Sequence, residues 1–400
     1  MKRFLAALLA ALTVFTLTGC GKTENPAEPV TPGQGEEPAT PTEPELTPEE
    51  IAEQERLAAE KAREERLQGL LDSMTLEEKV GQLFFVRCPE TNAVEDISTY
   101  HLGGYLLFGR DYKDGDSWLT WEQFIQKIES YQDAAAIPLF IGSDEEGGTV
   151  TRASRNPNLF SEPFKSPQAI YSTGGMEALA QDALDKSQSL LDLGINVNFA
   201  PVCDVSTNPG DFIYDRTLGQ DTETTADYIT RTVLTMGDAG EMAVLKHFPG
   251  YGNNADTHTG LAVHSRSLQE LESNDLLPFA AGIDAGCGAV LVSHNIVQAL
   301  DGDSPASLSP AVHQYLRDTM GFDGVVMTDD LVMEAITDRY GTGEAAVLAV
   351  QAGNDLLCST DYAEQYNAVL SAVLDGRIDF DALNASVMRV LKWKQNLGLL

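Results

Sequence analysis

Eight short apolar runs, with helix-forming stretches between most of them, constrain this chain more than any other feature. In order they are VGQLFFVR (80–87), GGYLLFG (103–109), IPLFIGSD (137–144), INVNFAP (195–201), MAVLKHF (242–248), GAVLVSH (288–294), GVVMTDD (324–330) and GNDLLCS (353–359). Runs this continuously apolar suit strands buried on both faces, as in a parallel sheet covered by helices, rather than strands with one wet face. Amphipathic stretches such as MEALAQDALDKSQSLLDL (176–193) and DYAEQYNAVLSAVL (361–374) supply the cover. Eight such units in about 330 residues predict an α/β fold of the (β/α)8 TIM-barrel kind, with an open doubly wound sheet as the alternative.

The segments before the first run are of other kinds. Residues 1–20, MKRFLAALLAALTVFTLTGC, have a basic start, an apolar run too short for a spanning helix, and small residues ending in Cys20. Leu17-Thr18-Gly19-Cys20 resembles a bacterial lipobox. That implies cleavage before Cys20, lipidation of its thiol, and an exported protein anchored to the outer face of the cell membrane. The alternative is an ordinary signal peptide with an incidental cysteine. Residues 21–46 are rich in Pro, Glu and Thr and too poor in large apolar side chains to offset ordering entropy, so they read as a disordered tether. Residues 47–68 switch to helix formers, with Thr47 as N-cap, Pro48 at the first helical position and Glu50 completing a capping box; this is a helical stalk or a helix running into the fold. No second linker follows, so residues 69–400 form one catalytic domain. Cys88, Cys203, Cys287 and Cys358 lack metal-type spacing and read as buried thiols. The net charge of −35 disfavours a nucleic-acid partner.

In a barrel, strand ends converge on one face where the following loops build the site. Several runs here end in polar groups: Asp144, Asp204, Lys246 with His247, His294, and Asp329 with Asp330. The fifth run leads into KHFPGYGNNADTHTG (246–260), where Gly250 and Gly252 permit a tight turn and Asp256 stands two residues before His258. A carboxylate bonded to one imidazole nitrogen fixes the tautomer and leaves the other nitrogen to exchange a proton; the same pair also serves simply to tie a loop. Of Asp329 and Asp330, one can project into the site as a nucleophile while the other caps the following helix, or both can cap. In GSDEEGGTVTR (142–152), Gly147-Gly148 allows close backbone approach, and Asp144 with Arg152 suits gripping hydroxyls. YDRTLGQD (214–221) offers Asp215 and Arg216, with an internal ion pair as the alternative role for each arginine.

Taken together, DEEGGTVTR, YDRTLG, KHFPGYG followed by DTH, and GVVMTDDLVMEAI occur in an order that resembles the β-N-acetylglucosaminidases of glycoside hydrolase family 3, over residues 75 to 395. The resemblance implies a single barrel domain with no metal and no cofactor. It further implies a retaining exo-acting hydrolase of terminal β-linked N-acetylglucosamine, with peptidoglycan fragments or chitin-type oligosaccharides as carbohydrate substrates. By the same resemblance Asp329 is the nucleophile, His258 the acid/base and Asp256 its dyad partner. Asp144, Arg152, Arg216, Lys246 and His247 match sugar-binding positions, and Asp330 is left a supporting role. Tyr251 stands where many relatives have histidine, which leaves the loop packing open. Competing readings are a family 3 β-glucosidase, a phosphorylase, a zinc hydrolase using His247, Asp256, His258, His294 and Asp329, and a sugar-binding lipoprotein without catalysis. Lys246 beside His247 argues against the zinc site by repelling a cation.

Overall fold

The computed structural model describes residues 47–252 and 262–400. Contacts divide the chain into two units, residues 1–56 and residues 57–400. Helix α1 (Pro48–Ser73) begins as its sequence dictates: the Thr47 amide donates to Glu50 Oε2 at 2.8 Å, and the Glu50 amide donates back to Thr47 Oγ1 at 3.2 Å. Its last turns, within the second unit, bury Leu67 and Leu71 in the main core. Among the described residues no helix is long and apolar enough to cross a membrane.

The second unit is α/β with parallel sheets. All eight apolar runs contain a strand: β1 (Phe84–Arg87), β2 (Gly104–Leu107), β3 (Phe140–Ser143), β4 (Val197–Asn198), β5 (Val244–Phe248), β6 (Ala289–Val292), β7 (Val325–Thr328) and β8 (Leu357–Ser359). Five form one parallel sheet in the order β8-β1-β2-β3-β4, and three form another in the order β7-β6-β5. The flanking strands of the two sheets also meet. Parallel bridges pair Val202 just beyond β4 with Lys246 of β5, and Met327 of β7 with Leu356 just before β8.

The first run was expected to be strand throughout 80–87, and its first three residues are helical instead. Helix α2 (Leu76–Gln82) is nucleated by a capping box in which the Glu78 amide donates to Thr75 Oγ1 at 3.2 Å and the Thr75 amide donates to Glu78 Oε2 at 2.8 Å. Val80 is fully buried as a helical side chain, and so reads as strand by hydrophobicity alone. The stretch 176–193 does form helix up to Asp192, within Pro167–Asp192, with Leu193 as its C-cap. The backbone breaks at Gly175 (φ 64°), one residue before that stretch begins.

Alternation along the strands separates two packing faces. Phe84 and Val86 face the helix-covered core, whereas Phe85 joins Leu106, Phe140, Val197, Val244, Leu291, Met327 and Cys358 in one cluster fed by the inward faces of both sheets. Val390 and Trp393 of the C-terminal helix (Phe380–Asn396) complete that cluster, with the Trp393 ring 4.5 Å from that of Phe140. Cys88, Cys203, Cys287 and Cys358 are all buried free thiols, as expected.

Candidate active site

The C-terminal ends of the strands meet around a cavity of about 520 Å3, within the range of small-ligand sites. Asp144, Arg152, Arg216, Lys246, His247 and Asp329 all line it, together with Arg87, Phe108, Tyr251, Asp330 and Met333. Six of the eight residues singled out for catalysis or sugar binding are thus in one pocket. The other two, Asp256 and His258, lie outside the described residues, as does Cys20.

The grip is organised by a carboxylate that the sequence reading passed over. Glu146, only 4% exposed, lies 2.5 Å from Lys246 Nζ and takes two bonds from Arg216, Nη2 to Oε1 at 2.7 Å and Nε to Oε2 at 2.9 Å. Burial alone would raise the Glu146 carboxyl, but the charges of Lys246 and Arg216 outweigh it and hold the group well below the usual carboxylate range. Lys246 Nζ also donates to Asp144 Oδ1 at 2.8 Å, and Arg152 Nη2 stands 3.6 Å from Asp144 Oδ2. Arg216 therefore makes an internal ion pair and faces the cavity as well.

His247 is fixed from both sides. Its Nδ1 lies 2.8 Å from Oδ2 of Asp204, a fully buried carboxylate that also accepts from the His247 amide at 3.1 Å and the Tyr251 amide at 2.6 Å. Its Nε2 lies 2.9 Å from Arg216 Nη2. A guanidinium has no acceptor to offer, so Nε2 accepts and Nδ1 carries the proton given to Asp204. The Tyr251 ring packs edge-on to His247, with centroids 5.2 Å apart.

Local backbone makes these placements possible. Gly147 has φ 98°, and a Cβ there would fall 2.1 Å from the Lys165 carbonyl oxygen; Gly250 has φ 112°, and a Cβ there would fall 2.8 Å from Asp275 Cβ. Gly147 answers to the close backbone approach expected from sequence, and Gly250 to the tight turn. Two residues before Gly147, Glu145 ties the loop after β3: its carboxylate accepts from the Arg152 and Ala153 amides and from Ser154 Oγ.

At the end of β7 the two aspartates have different surroundings. Asp330 accepts from the Val332 amide at 3.2 Å and from Thr360 Oγ1 at 2.7 Å, so it braces the turn. Burial raises its carboxyl above the ordinary range. Asp329 lines the cavity, and its Oδ1 accepts from the Asp330 amide at 2.8 Å. His294, though at a strand end, is spent on Ser307 Oγ at 2.7 Å and on the Asp330 carbonyl at 3.0 Å.

Sequence reading named Asp204 as a strand-end group without a role and missed Glu146, Arg87 and Phe108. A signal for Glu146 was present: two cations expected in one buried pocket require a nearby anion, and the run DEE (144–146) adjoins them.

The arrangement suits a polyhydroxylated ligand, with fixed donors and acceptors around a carboxylate able to attack an electrophilic carbon. The chain matches the glycosyl hydrolase family 3 N-terminal domain over residues 75–393. It is 33% identical over 330 residues to beta-hexosaminidase LpqI of Mycobacterium tuberculosis, covering 79% of this chain and 82% of that protein. Among solved structures it is similar to a glycoside hydrolase family 3 beta-N-acetylglucosaminidase from a Paenibacillus species, at TM-score 0.75 and 34% identity over 82% of this chain. It spans 63% of that longer protein. The similarity to the structure of M. tuberculosis LpqI has TM-score 0.74 and 32% identity, covering 82% of this chain and 96% of the other.

Proposed function

This chain belongs to glycosyl hydrolase family 3 and is a glycoside hydrolase, and from that premise we propose that it is a retaining exo-β-N-acetylglucosaminidase acting on peptidoglycan fragments or chitin-type oligosaccharides. The observation that carries this reading is the single cavity in which Asp329 faces Asp144, Arg152, Arg216, Lys246 and His247. In the proposed cycle a carboxylate oxygen of Asp329 attacks the anomeric carbon as the bond to the glycosidic oxygen breaks. His258, oriented by Asp256, gives that oxygen its proton. A water then attacks the same carbon, His258 takes the water proton, and Asp329 leaves, so that two inversions give net retention. The polar grip holds the sugar hydroxyls while this happens, and the ion pairs around Glu146 spare it any rearrangement as substrate enters.

Two finer features belong to the same proposal. The eight strands close into a (β/α)8 barrel; the bridges at both junctions of the two sheets and the shared inward-facing cluster support this. The mature protein is lipid-anchored through Cys20 and works outside the membrane, which the lipobox-like LTGC supports.

The decisive experiment follows a chromogenic N-acetyl-β-glucosaminide with the anomer of the first product read by NMR, with and without phosphate. Wild-type protein is expected to release the β anomer of N-acetylglucosamine. Asp329→Ala and His258→Ala are expected to lower kcat/KM by about a thousandfold or more. An α-anomer product, unchanged rates in the variants, or a sugar 1-phosphate formed faster with phosphate would overturn the reading.

A further inference from the structure

Asp204 lies just beyond β4, where the Cys203 amide donates to the Lys246 carbonyl at 2.7 Å and draws the chain against β5. Its carboxylate is 0% exposed, and its partners are N–H groups rather than a lysine or an arginine. All three donors belong to residues 247–251. Oδ2 takes the His247 amide and Nδ1, while Oδ1 takes the Tyr251 amide. The bonding capacity of this buried acid is thus spent on the end of β5 and the turn that follows. A carboxylate has only acceptors to offer, so it holds the ring proton of His247 on Nδ1 and leaves Nε2 as a lone pair.

The consequence falls on Arg216. Its Nη2 carries two hydrogens, and two acceptors meet them: Glu146 Oε1 at 2.7 Å and His247 Nε2 at 2.9 Å. Its Nε goes to Glu146 Oε2 at 2.9 Å. Three of the five donors of a guanidinium are then fixed. The remaining two are on Nη1, which has no bond among the described residues, and Arg216 lines the cavity. The other tautomer of His247 would set an N–H against an N–H across 2.9 Å, beside a ring only 5% exposed. Such a contact drives the guanidinium off rather than holding it.

We propose that Asp204 is a positioning residue for substrate binding: by keeping the proton on Nδ1 of His247 it keeps Nε2 an acceptor for Arg216, so that Nη1 of Arg216 is presented to a sugar hydroxyl. This rests on the reading of the cavity as a sugar site and adds to it the group that sets the geometry of the grip.

Asp204→Asn keeps the shape but replaces one acceptor oxygen with a donor, while three N–H groups still face it. Where the new amide meets the ring, Nδ1 becomes an acceptor and the proton moves to Nε2. The test combines nitrogen NMR of the full chain with 15N-labelled histidine, His247 being assigned by its loss in His247→Gln, with kinetics on a chromogenic N-acetyl-β-glucosaminide. Wild-type His247 is expected to be neutral with its proton on Nδ1. Asp204→Asn is expected to move that proton and to lower kcat/KM by about ten- to hundredfold, the scale of one orphaned buried donor. In a His247→Gln background, which has no Nδ1, the same substitution is expected to cost less than about threefold, because Asp204 acts through the ring.

A wild-type ring protonated on Nε2 overturns the proposal, as do fully additive losses in the double variant. Lost activity in an Asp204→Asn variant that keeps the wild-type tautomer also overturns it, since Asp204 would then act through Tyr251. Should Asp204→Asn not fold, His247→Gln and His247→Asn decide. Glutamine keeps the end of the side chain that meets Arg216 and asparagine only the end that meets Asp204, so His247→Gln is expected to be the more active, and equal or reversed activities overturn the proposal. Wild-type protein that leaves the chromogenic substrate intact overturns the glucosaminidase reading, whereas the tautomer is read without substrate and still decides the role of Asp204.

Discussion

Glu146 shows how one buried charge sets the properties of several exposed to the cavity. Lys246 is 2% exposed and Arg216 partly so, and Glu146 is the counter-anion the two share. Glu146→Gln keeps the shape but takes the carboxylate from Arg216 and leaves Lys246 with Asp144 alone. We expect it to destabilise the fold by about 3 kcal/mol at neutral pH and to raise KM, checked by urea unfolding and steady-state kinetics. The pH dependence follows from the sign of the shift. The folded carboxyl titrates below its unfolded value of 4.5, so its stabilising contribution is complete above that pH and drains away as the pH falls further. The stability gap between wild type and variant should therefore be widest near neutrality and narrow below about pH 4.5. A gap that is absent, or equally wide at pH 3 and pH 7, would show that Glu146 is not the partner that matters. At this scale the sequence was informative where a residue type announces its chemistry at a strand end, as Asp329 and Lys246 do. It called for an anion near Lys246 and Arg216 but did not single out Glu146, because three adjacent acids look alike until the fold buries one between two cations. Arg87 was passed over for a different reason: it closes a run read only for its hydrophobicity.

Among the elements, the strands were legible because burial on both faces leaves an unbroken apolar signature, and each of the eight runs does contain one. Their lengths were not. INVNFAP yields only Val197–Asn198 as strand, and VGQLFFVR gives its first residues to a helix whose start is fixed by Thr75 and Glu78 outside the run. Hydrophobic pattern reports burial, whereas backbone hydrogen bonding is decided by caps and neighbours. Packing of large against small residues across the inward face was equally hidden. Gly142 of β3 lies under two rings: a Cβ there would stand 2.6 Å from Phe85 Cζ and 2.8 Å from Phe199 Cε2. The Phe85 ring in turn sits 5.6 Å from Phe140 and 5.2 Å from Phe199, centre to centre, so little slack remains. Gly142→Ala is expected to overpack this layer and cost about 1–3 kcal/mol, seen as a lower midpoint in thermal unfolding. An unchanged or raised midpoint would mean that the aromatic layer yields and that the inward face is looser than its contacts indicate.

At the scale of the whole chain, the catalytic unit and the proposed export signal make separate demands on the sequence. Every residue proposed for catalysis or binding lies between positions 87 and 329, and the segment proposed to set location lies before position 21. The two should therefore be separable by a single substitution. A lipidated N-terminus holds a protein at a membrane surface through its acyl chains, without a spanning helix. In a bacterial host that processes lipoproteins, the wild-type chain is expected in the membrane fraction, with an N-terminal mass raised by acyl groups on Cys20. Cys20→Ser removes the thiol that would carry them, so that acylated species should disappear. Detergent-solubilised wild type and variant should then cleave the chromogenic substrate at the same rate, because no group in the cavity is touched. Wild-type protein recovered without acyl mass would remove the anchor and leave the hydrolase standing. A variant that loses activity although its thermal midpoint matches that of the wild type would show instead that the N-terminal segment bears on the site, and that location and catalysis are not independent in this chain.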